Sequence, residues 1–263
     1  MHRLLVRLYR QSDYYYVNVF DAQNDAAKSC WANLLSFPKN VEVVFRYVAP
    51  RGNVKLAKAI LDGMRFFRDL DLDYFIDMTG QCYPLKPISL MEKQLSDCLS
   101  HIMFFTVPDL GWENENGGLD RINYRWFNFR GKTIGVPRII RSPPENLKLY
   151  GGSCWLCLRK THMDYIVDYL ASHPDVLRFF EHSKFPEEMI FQTVLMNSPF
   201  ANEVLNRSEW YIDWPPIRNG VRGQPRFLTV NHIPELMSCG KLFARKFEDE
   251  KLINVIEARS STV

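Results

Sequence analysis

Short apolar runs that end in polar turns, set between stretches of helical period, restrict a chain to layers of strand and helix, and the first third of this sequence repeats that pattern. The spacing predicts a helix over residues 3–10 and a strand over 14–20 that closes on Asp21. A helix over 25–36, a strand over 41–47 and a helix over 54–69 follow. A buried strand over 74–78 is then stopped by Thr79-Gly80-Gln81. Such alternation predicts an α/β fold with a mostly parallel central sheet flanked by helices. Ligands in sheets of this kind sit beyond the carboxyl ends of the strands, where Asp21 and the turn after residue 78 fall. Further patterns predict a helix over 91–100, a strand over 101–107, a strand over 149–158 and helices over 161–172 and 187–196. Residues 112–150 read as irregular, with Trp112, Tyr124, Trp126, Phe127 and Phe129 among charged neighbours, a mixture that suits sugar rings as well as the flank of a core. At 263 residues and 46% hydrophobic the chain can bury one full core, so a single domain over 1–263 is expected. Within it, 1–107 reads as a nucleotide-binding half from the turns at its strand ends, with 108–263 as the remainder of the domain.

Charge excludes one large class of partner. Lys and Arg total 33 against 30 Asp and Glu, a net +3, and no basic run gathers the cations that a nucleic-acid backbone requires. The six cysteines are scattered over a chain long enough to fold without staples, which favours reduced thiols. Cys154 and Cys157 have redox spacing but fall in an apolar run read as a strand, where residues three apart point to opposite faces, so a structural role is expected. No stretch reaches the ~20 apolar residues of a membrane span. Arg3, Arg7 and Arg10 break the apolar run at the start, which favours a helix packed on a sheet over a membrane-surface helix. A cytoplasmic location is expected, with peripheral membrane association as the alternative.

Chemistry concentrates in residues 242–248, Leu-Phe-Ala-Arg-Lys-Phe-Glu, read with Arg226 and with Pro186-Glu187-Glu188. Two spaced cations can neutralise a departing diphosphate and one carboxylate can deprotonate a sugar hydroxyl, the minimum for moving a sugar from a nucleotide without a metal. Residue by residue the plainer readings stand: Glu187 and Glu188 as first-turn carboxylates favoured by a helix dipole, Lys246 and Arg226 as solvated cations. The Asp-x-Asp pattern of Asp69, Asp71 and Asp73 precedes its strand, the wrong end for a metal. The turn after that strand offers no carboxylate, so no divalent metal is expected.

Ordered blocks across most of the chain carry a resemblance. They are Tyr15-Tyr16-Val17 through Asp21, Asp73 to Asp77 with Gly80 to Lys86, and Gly151 to Trp155; then Pro186-Glu187-Glu188 with Phe191 to Val194, Asn197-Ser198-Pro199, Tyr211 to Trp214 and Leu242 to Glu248. In these the chain resembles the core-2/I-branching β-1,6-N-acetylglucosaminyltransferases and the related peptide O-xylosyltransferases. The resemblance implies a GT-A-type domain and an inverting, metal-independent transfer from a uridine-diphosphate sugar, N-acetylglucosamine or similar, to a glycan or polysaccharide hydroxyl. It implies Glu188 as base, Arg226 and Lys246 on the diphosphate, Asp21 on the nucleoside and Trp214 on the acceptor, with no cofactor beyond the donor. A peptide O-xylosyltransferase-like enzyme and a catalytically weak nucleotide-sugar or glycan-binding protein are the alternatives. Three departures matter. Cys154 stands where the xylosyltransferases carry an aspartate implicated in acceptor activation, and Cys82 replaces an often acidic residue. The apolar first strand that opens the family domain is expected to be missing, since the sequence starts inside the helix that follows it.

Overall fold

The structure, a computed structural model, describes residues 2–20, 38–47, 52–112, 116–129, 132–136, 141–144, 147–217 and 223–260. The expected helix over 25–36 and Asp21 lie outside the described residues. The chain opens with α1 (His2–Leu8), β1 (Tyr15–Asn18), β2 (Val41–Val44), α2 (Val54–Phe67), β3 (Tyr74–Ile76) and β4 (Cys82–Pro84). It continues through α3 (Ile88–Gln94), β5 (Ser100–Ile102), β6 (Phe104–Thr106), α4 (Asp120–Asn123), β7 (Arg125–Phe129) and β8 (Lys132–Val136). Then come β9 (Tyr150–Gly152), β10 (Cys157–Arg159), α5 (Lys160–Ser172), α6 (Pro174–Glu181), a 3₁₀ turn at Pro186–Glu188 and α7 (Ile190–Met196). The last elements are β11 (Val204–Asn206), β12 (Trp210–Ile212), α8 (Ile233–Ser238), β13 (Phe243–Arg245) and α9 (Glu250–Ser260).

The fold is mixed α/β, but its strands form several small sheets. The largest has the order β11-β5-β10-β3, and a second has the order β12-β13-β4. Pairings β1/β2, β11/β5 and β12/β13 are parallel, whereas β10/β3, β10/β5, β13/β4, β6/β9 and β7/β8 are antiparallel. The expectation of a mostly parallel sheet is therefore corrected. A strand buried on both faces is apolar throughout whichever way it runs, so its sequence carries no direction.

Local signals explain most elements. Asn53 caps α2 by accepting the Lys55 amide at 2.8 Å, and that helix buries Ala57, Ile60, Leu61 and Met64 along one stripe. These side chains share a core with Phe75 of β3, Leu156 and Leu158 around β10, Ile166 of α5 and Val194 of α7. One core thus joins elements from both halves of the sequence. The helix α1 is not spare: Leu4 packs with Tyr83, Phe247 and Leu252, and Leu5 with Val17 and Val19. Its Arg3 pairs with Glu257 of α9 at 2.6 Å. The inward face is spent on the core, as expected of a helix packed on a sheet.

Three expected boundaries shift. The run 149–158 is two strands, β9 and β10, with a bend at 153–156 between them. The helix expected over 187–196 is a 3₁₀ turn broken from α7 at Met189. Residues 91–100 hold the end of α3 and a connection into β5. Within the segment read as irregular, β7 and β8 form a hairpin in register from Arg125 opposite Val136 to Phe129 opposite Lys132.

Candidate active site

Strand ends bring the candidate residues together. Strands β12 and β13 run parallel with Ile212 opposite Arg245, so Asp213-Trp214 and Lys246 leave the sheet side by side. Antiparallel β4 places Cys82 opposite Arg245, and Phe247 donates its amide to the Gln81 carbonyl at 2.8 Å. The turn of Thr79-Gly80-Gln81 therefore borders the same rim. Arg226 joins it through its backbone: its amide donates to the Asp213 carbonyl at 2.9 Å, and two residues on Leu228 donates to the Lys246 carbonyl at 2.9 Å. The two expected cations, 20 positions apart in sequence, thus flank one strand end.

Arg226 is 57% exposed and reaches the Asp213 carboxylate at 3.4 Å, which His232 also contacts at 3.3 Å; an exposed, long contact of this kind fixes little. Half-buried Lys246 donates to Gln224 Oε1 at 3.4 Å and lies 5.5 Å from the centre of the Phe227 ring. Trp214 is 39% exposed on the same rim, ahead of Pro215-Pro216.

Glu188 ends the 3₁₀ turn. Phe185, just ahead, adopts φ +51° and ψ +52°, a left-handed conformation that a bulky residue seldom takes, and Pro186 then starts the turn. The Phe185 amide donates to the carbonyl of Gly52, itself at φ +79°, and the aromatic ring closes over that glycine. Arg121 of α4 is 3% exposed and donates from Nη1 to Glu188 Oε2 at 2.5 Å. Its guanidinium lies 3.9 Å from the Trp112 ring centre and 5.1 Å from that of Phe185, so the group that orients Glu188 is clamped between aromatic faces. Glu187 lies at the start of the same turn, the helix-start place expected of it, and is buried there.

The bend between β9 and β10 connects the two groups. Burial raises the Cys154 thiol well above its ordinary pKa, and the charges of Glu188, Glu187 and Asp77 raise it further, while Arg245 acts the other way. The thiol is thus neutral and lies within electrostatic reach of the Glu188 turn and of the β13 end together. Asp77, at the carboxyl end of β3, is pushed up to about 7 by burial. Arg245 lies over the Trp155 ring at 4.3 Å, and burial lowers its pKa. The bend is clamped by α7, whose Gln192 Nε2 donates to the Ser153 carbonyl at 2.6 Å. Thr193 Oγ1 both donates to and accepts from Tyr150 at 3.1 Å. Those two contacts account for the Phe191-Gln192-Thr193-Val194 block as a splint for the strand carrying Cys154.

Residue patterns alone did not single out Arg121 or Arg245. Arg121 lies in a stretch without period, Arg245 is the sequence neighbour of Lys246, and Asp77 ends the block 73–77. Asp69, Asp71 and Asp73 are exposed on the connection before β3, and among the described residues no three His, Cys, Asp or Glu side chains gather in a metal-binding group. Among them, too, no helix is long and apolar enough to cross a membrane.

The family model Core-2/I-Branching enzyme covers residues 1–237. The chain belongs to that glycosyltransferase family. It is similar to the beta-glucuronosyltransferase GlcAT14A of Arabidopsis thaliana, 24% identical over 95% of this chain and 58% of that protein. It is also similar to the xylosyltransferase sqv-6 of Caenorhabditis elegans, 23% identical over 97% of this chain and 34% of that protein. Xylosyltransferase 1 of Homo sapiens is 24% identical over 81% of this chain and 22% of that protein. The chain spans about half the length of the glucuronosyltransferases that it matches.

Proposed function

We propose that the protein transfers a sugar from a uridine-diphosphate donor to a glycan or polysaccharide hydroxyl, with inversion at the anomeric carbon and without a bound divalent metal. The acceptor oxygen attacks the anomeric carbon as its proton passes to Glu188, and the bond to the diphosphate breaks on the opposite face. Lys246 and Arg226 take up the charge that develops on the departing diphosphate. Asp21 contacts the nucleoside and Trp214 the acceptor, and the arrangement is of GT-A type, with 1–107 serving the nucleotide and 108–263 the acceptor.

The observation that carries this reading is the convergence of Asp213-Trp214, Arg226 and Lys246 on the end of β13, together with a Glu188 carboxylate held by buried Arg121. A carboxylate base and two cations are the groups that an in-line displacement of diphosphate requires. The donor sugar is proposed as N-acetylglucosamine or a close relative, with the glucuronosyl and xylosyl groups named in the similar proteins as the other donors to test. A neutral, half-buried thiol at 154 offers no carboxylate of its own to activate a serine hydroxyl, which favours a glycan acceptor over a protein one.

The test is release of uridine diphosphate from a panel of uridine-diphosphate sugars, offered with neutral and acidic oligosaccharides and with serine peptides, in the presence of chelator. Turnover of a donor in chelator is expected. Binding of nucleotide sugar without turnover on any acceptor points instead to a binding protein, and activity lost in chelator and restored by manganese overturns the metal-independent mechanism.

A further inference from the structure

A second concavity opens beside the segment that leads into Glu188. It has a volume of about 460 Å³ and is lined by Arg125, Arg141, Arg178 and His182, with Phe179 as an aromatic wall and Asp175 as its one carboxylate. Three guanidiniums here make no ion pair with any described residue. Arg141 is tied to backbone carbonyls: Nη1 donates to His182 at 2.7 Å and Nη2 to Phe179, and the guanidinium lies 4.4 Å from the Phe179 ring centre. Arg125 Nη2 donates to His182 Nε2 at 3.3 Å, while its Nε is buried with no hydrogen-bond acceptor among the described residues. Burial, followed by the nearby charge of Arg125, lowers the Arg141 pKa to about 10. Half-buried Arg125 and Arg141 and exposed Arg178 thus present positive charge to the concavity with no carboxylate paired to it among the described residues.

Size and place narrow the ligand. The volume falls within the ~300–1,000 Å³ range of small-molecule pockets and suits a compact ring. Guanidinium forks match the geometry of carboxylate and sulfate. Apart from Arg125 at the start of β7, the lining comes from helix and coil, which gives an extended peptide little strand edge to join. The pocket and Glu188 are built on the same two segments: Trp126 donates its amide to the His182 carbonyl at 2.9 Å, and Lys184 donates to the Arg121 carbonyl at 2.9 Å. His182 and Glu188 are six residues apart, a reach of at most about 20 Å even for extended chain.

We propose that this pocket binds the oxyanion, carboxylate or sulfate, of an acidic saccharide whose hydroxyl end reaches Glu188, which rests on the transferase reading above. Acidic acceptors are then preferred over neutral ones of the same length. Arg178 is exposed on α6, so its replacement should not disturb the fold, and Arg125→Gln provides a second, independent variant.

Calorimetric binding without donor tests the inference, using a uronate-containing oligosaccharide, a sulfated one, their neutral counterpart and an Asp/Glu-rich peptide. At low salt the wild type is expected to bind one or both acidic saccharides at least about tenfold more tightly than the neutral one, and their ratio tells carboxylate from sulfate. Arg178→Gln combined with Arg125→Gln should bring the preference to within about twofold with the melting temperature kept. Equal binding of acidic and neutral saccharides, an unchanged preference in the double variant, or tighter binding of the peptide overturns it. Because no donor is present, preference for acid without release of uridine diphosphate in the donor panel defeats the transferase reading, whereas release without that preference defeats only this inference.

Discussion

At the scale of single residues, the proposed base and the proposed cations are held differently. Glu188 is oriented by a buried, aromatic-clamped Arg121, whereas Arg226 meets Asp213 and Lys246 meets Gln224 at 3.4 Å. A base must hold its geometry, while cations that meet an incoming diphosphate do better if they can turn. Glu188→Gln keeps an acceptor oxygen for Arg121 but cannot take a proton. Turnover should fall roughly 10²–10⁴-fold with nucleotide affinity retained. Near-normal turnover, measured where chemistry limits the rate, removes Glu188 from the role of base. For Arg226→Ala and Lys246→Ala the expected loss is in affinity for uridine diphosphate and in rate, not in stability, since exposed pairs contribute about 0–1 kcal/mol. Titration calorimetry beside thermal melts separates the two, and unaltered diphosphate affinity in both variants speaks against the assignment.

At the scale of elements, the close approach of β6 and β9 decides where the bend carrying Cys154 lies. Gly152 pairs with Phe104 in that ladder, and a Cβ on it would lie 1.9 Å from the Met103 carbonyl oxygen. One on Gly151 would lie 2.6 Å from the Trp112 ring. The paired glycines are therefore a packing requirement, in addition to their place in the family block. Gly152→Ala must push backbone apart, and a loss of at least about 2 kcal/mol is expected in chemical denaturation, with the Tyr150–Thr193 clamp loosened. An alanine variant as stable as the parent contradicts this account of β6 and β9.

At the scale of the whole molecule, buried titrating groups set a pH dependence. Asp77 titrates near 7 when folded, against 3.8 ordinarily. Between these values the native state holds the extra proton, so stability falls as pH rises, by up to about 4 kcal/mol in total. His101 is 1% exposed and bonds to Glu209 and Asp97 at 2.8 Å. Burial alone would lower its pKa, but these carboxylates more than offset that and it is raised. Its contribution is present at low pH and is lost as pH climbs through the raised value, the same direction. Glu257 opposes them, because its hydrogen bond to Arg3 lowers its pKa and its contribution disappears in acid. Melting temperature should be highest near about pH 4 and decline toward about pH 7, and Asp77→Asn should flatten that decline. A melting curve that rises over that interval, or a variant parallel to the parent, sinks this assignment.

The sequence alone determined the α/β class, the helix α2, the inward face of α1 and, through ordered blocks, the family. Each rests on local periodicity or on side-chain chemistry carried by neighbours in the chain. Tertiary structure decided the direction of the strands, because a run buried on both faces reads alike in either sense. It also decided the split of 149–158 at the Cys154 bend, where an apolar stretch conceals a turn made by packing against Gln192 and Thr193. Arg226 could be set beside Lys246 only by the parallel register of β12 and β13, and Arg121 beside Glu188 only by docking α4 against the Phe185 turn. Contacts between residues tens of positions apart depend on which surfaces meet, and a one-dimensional pattern does not contain that information.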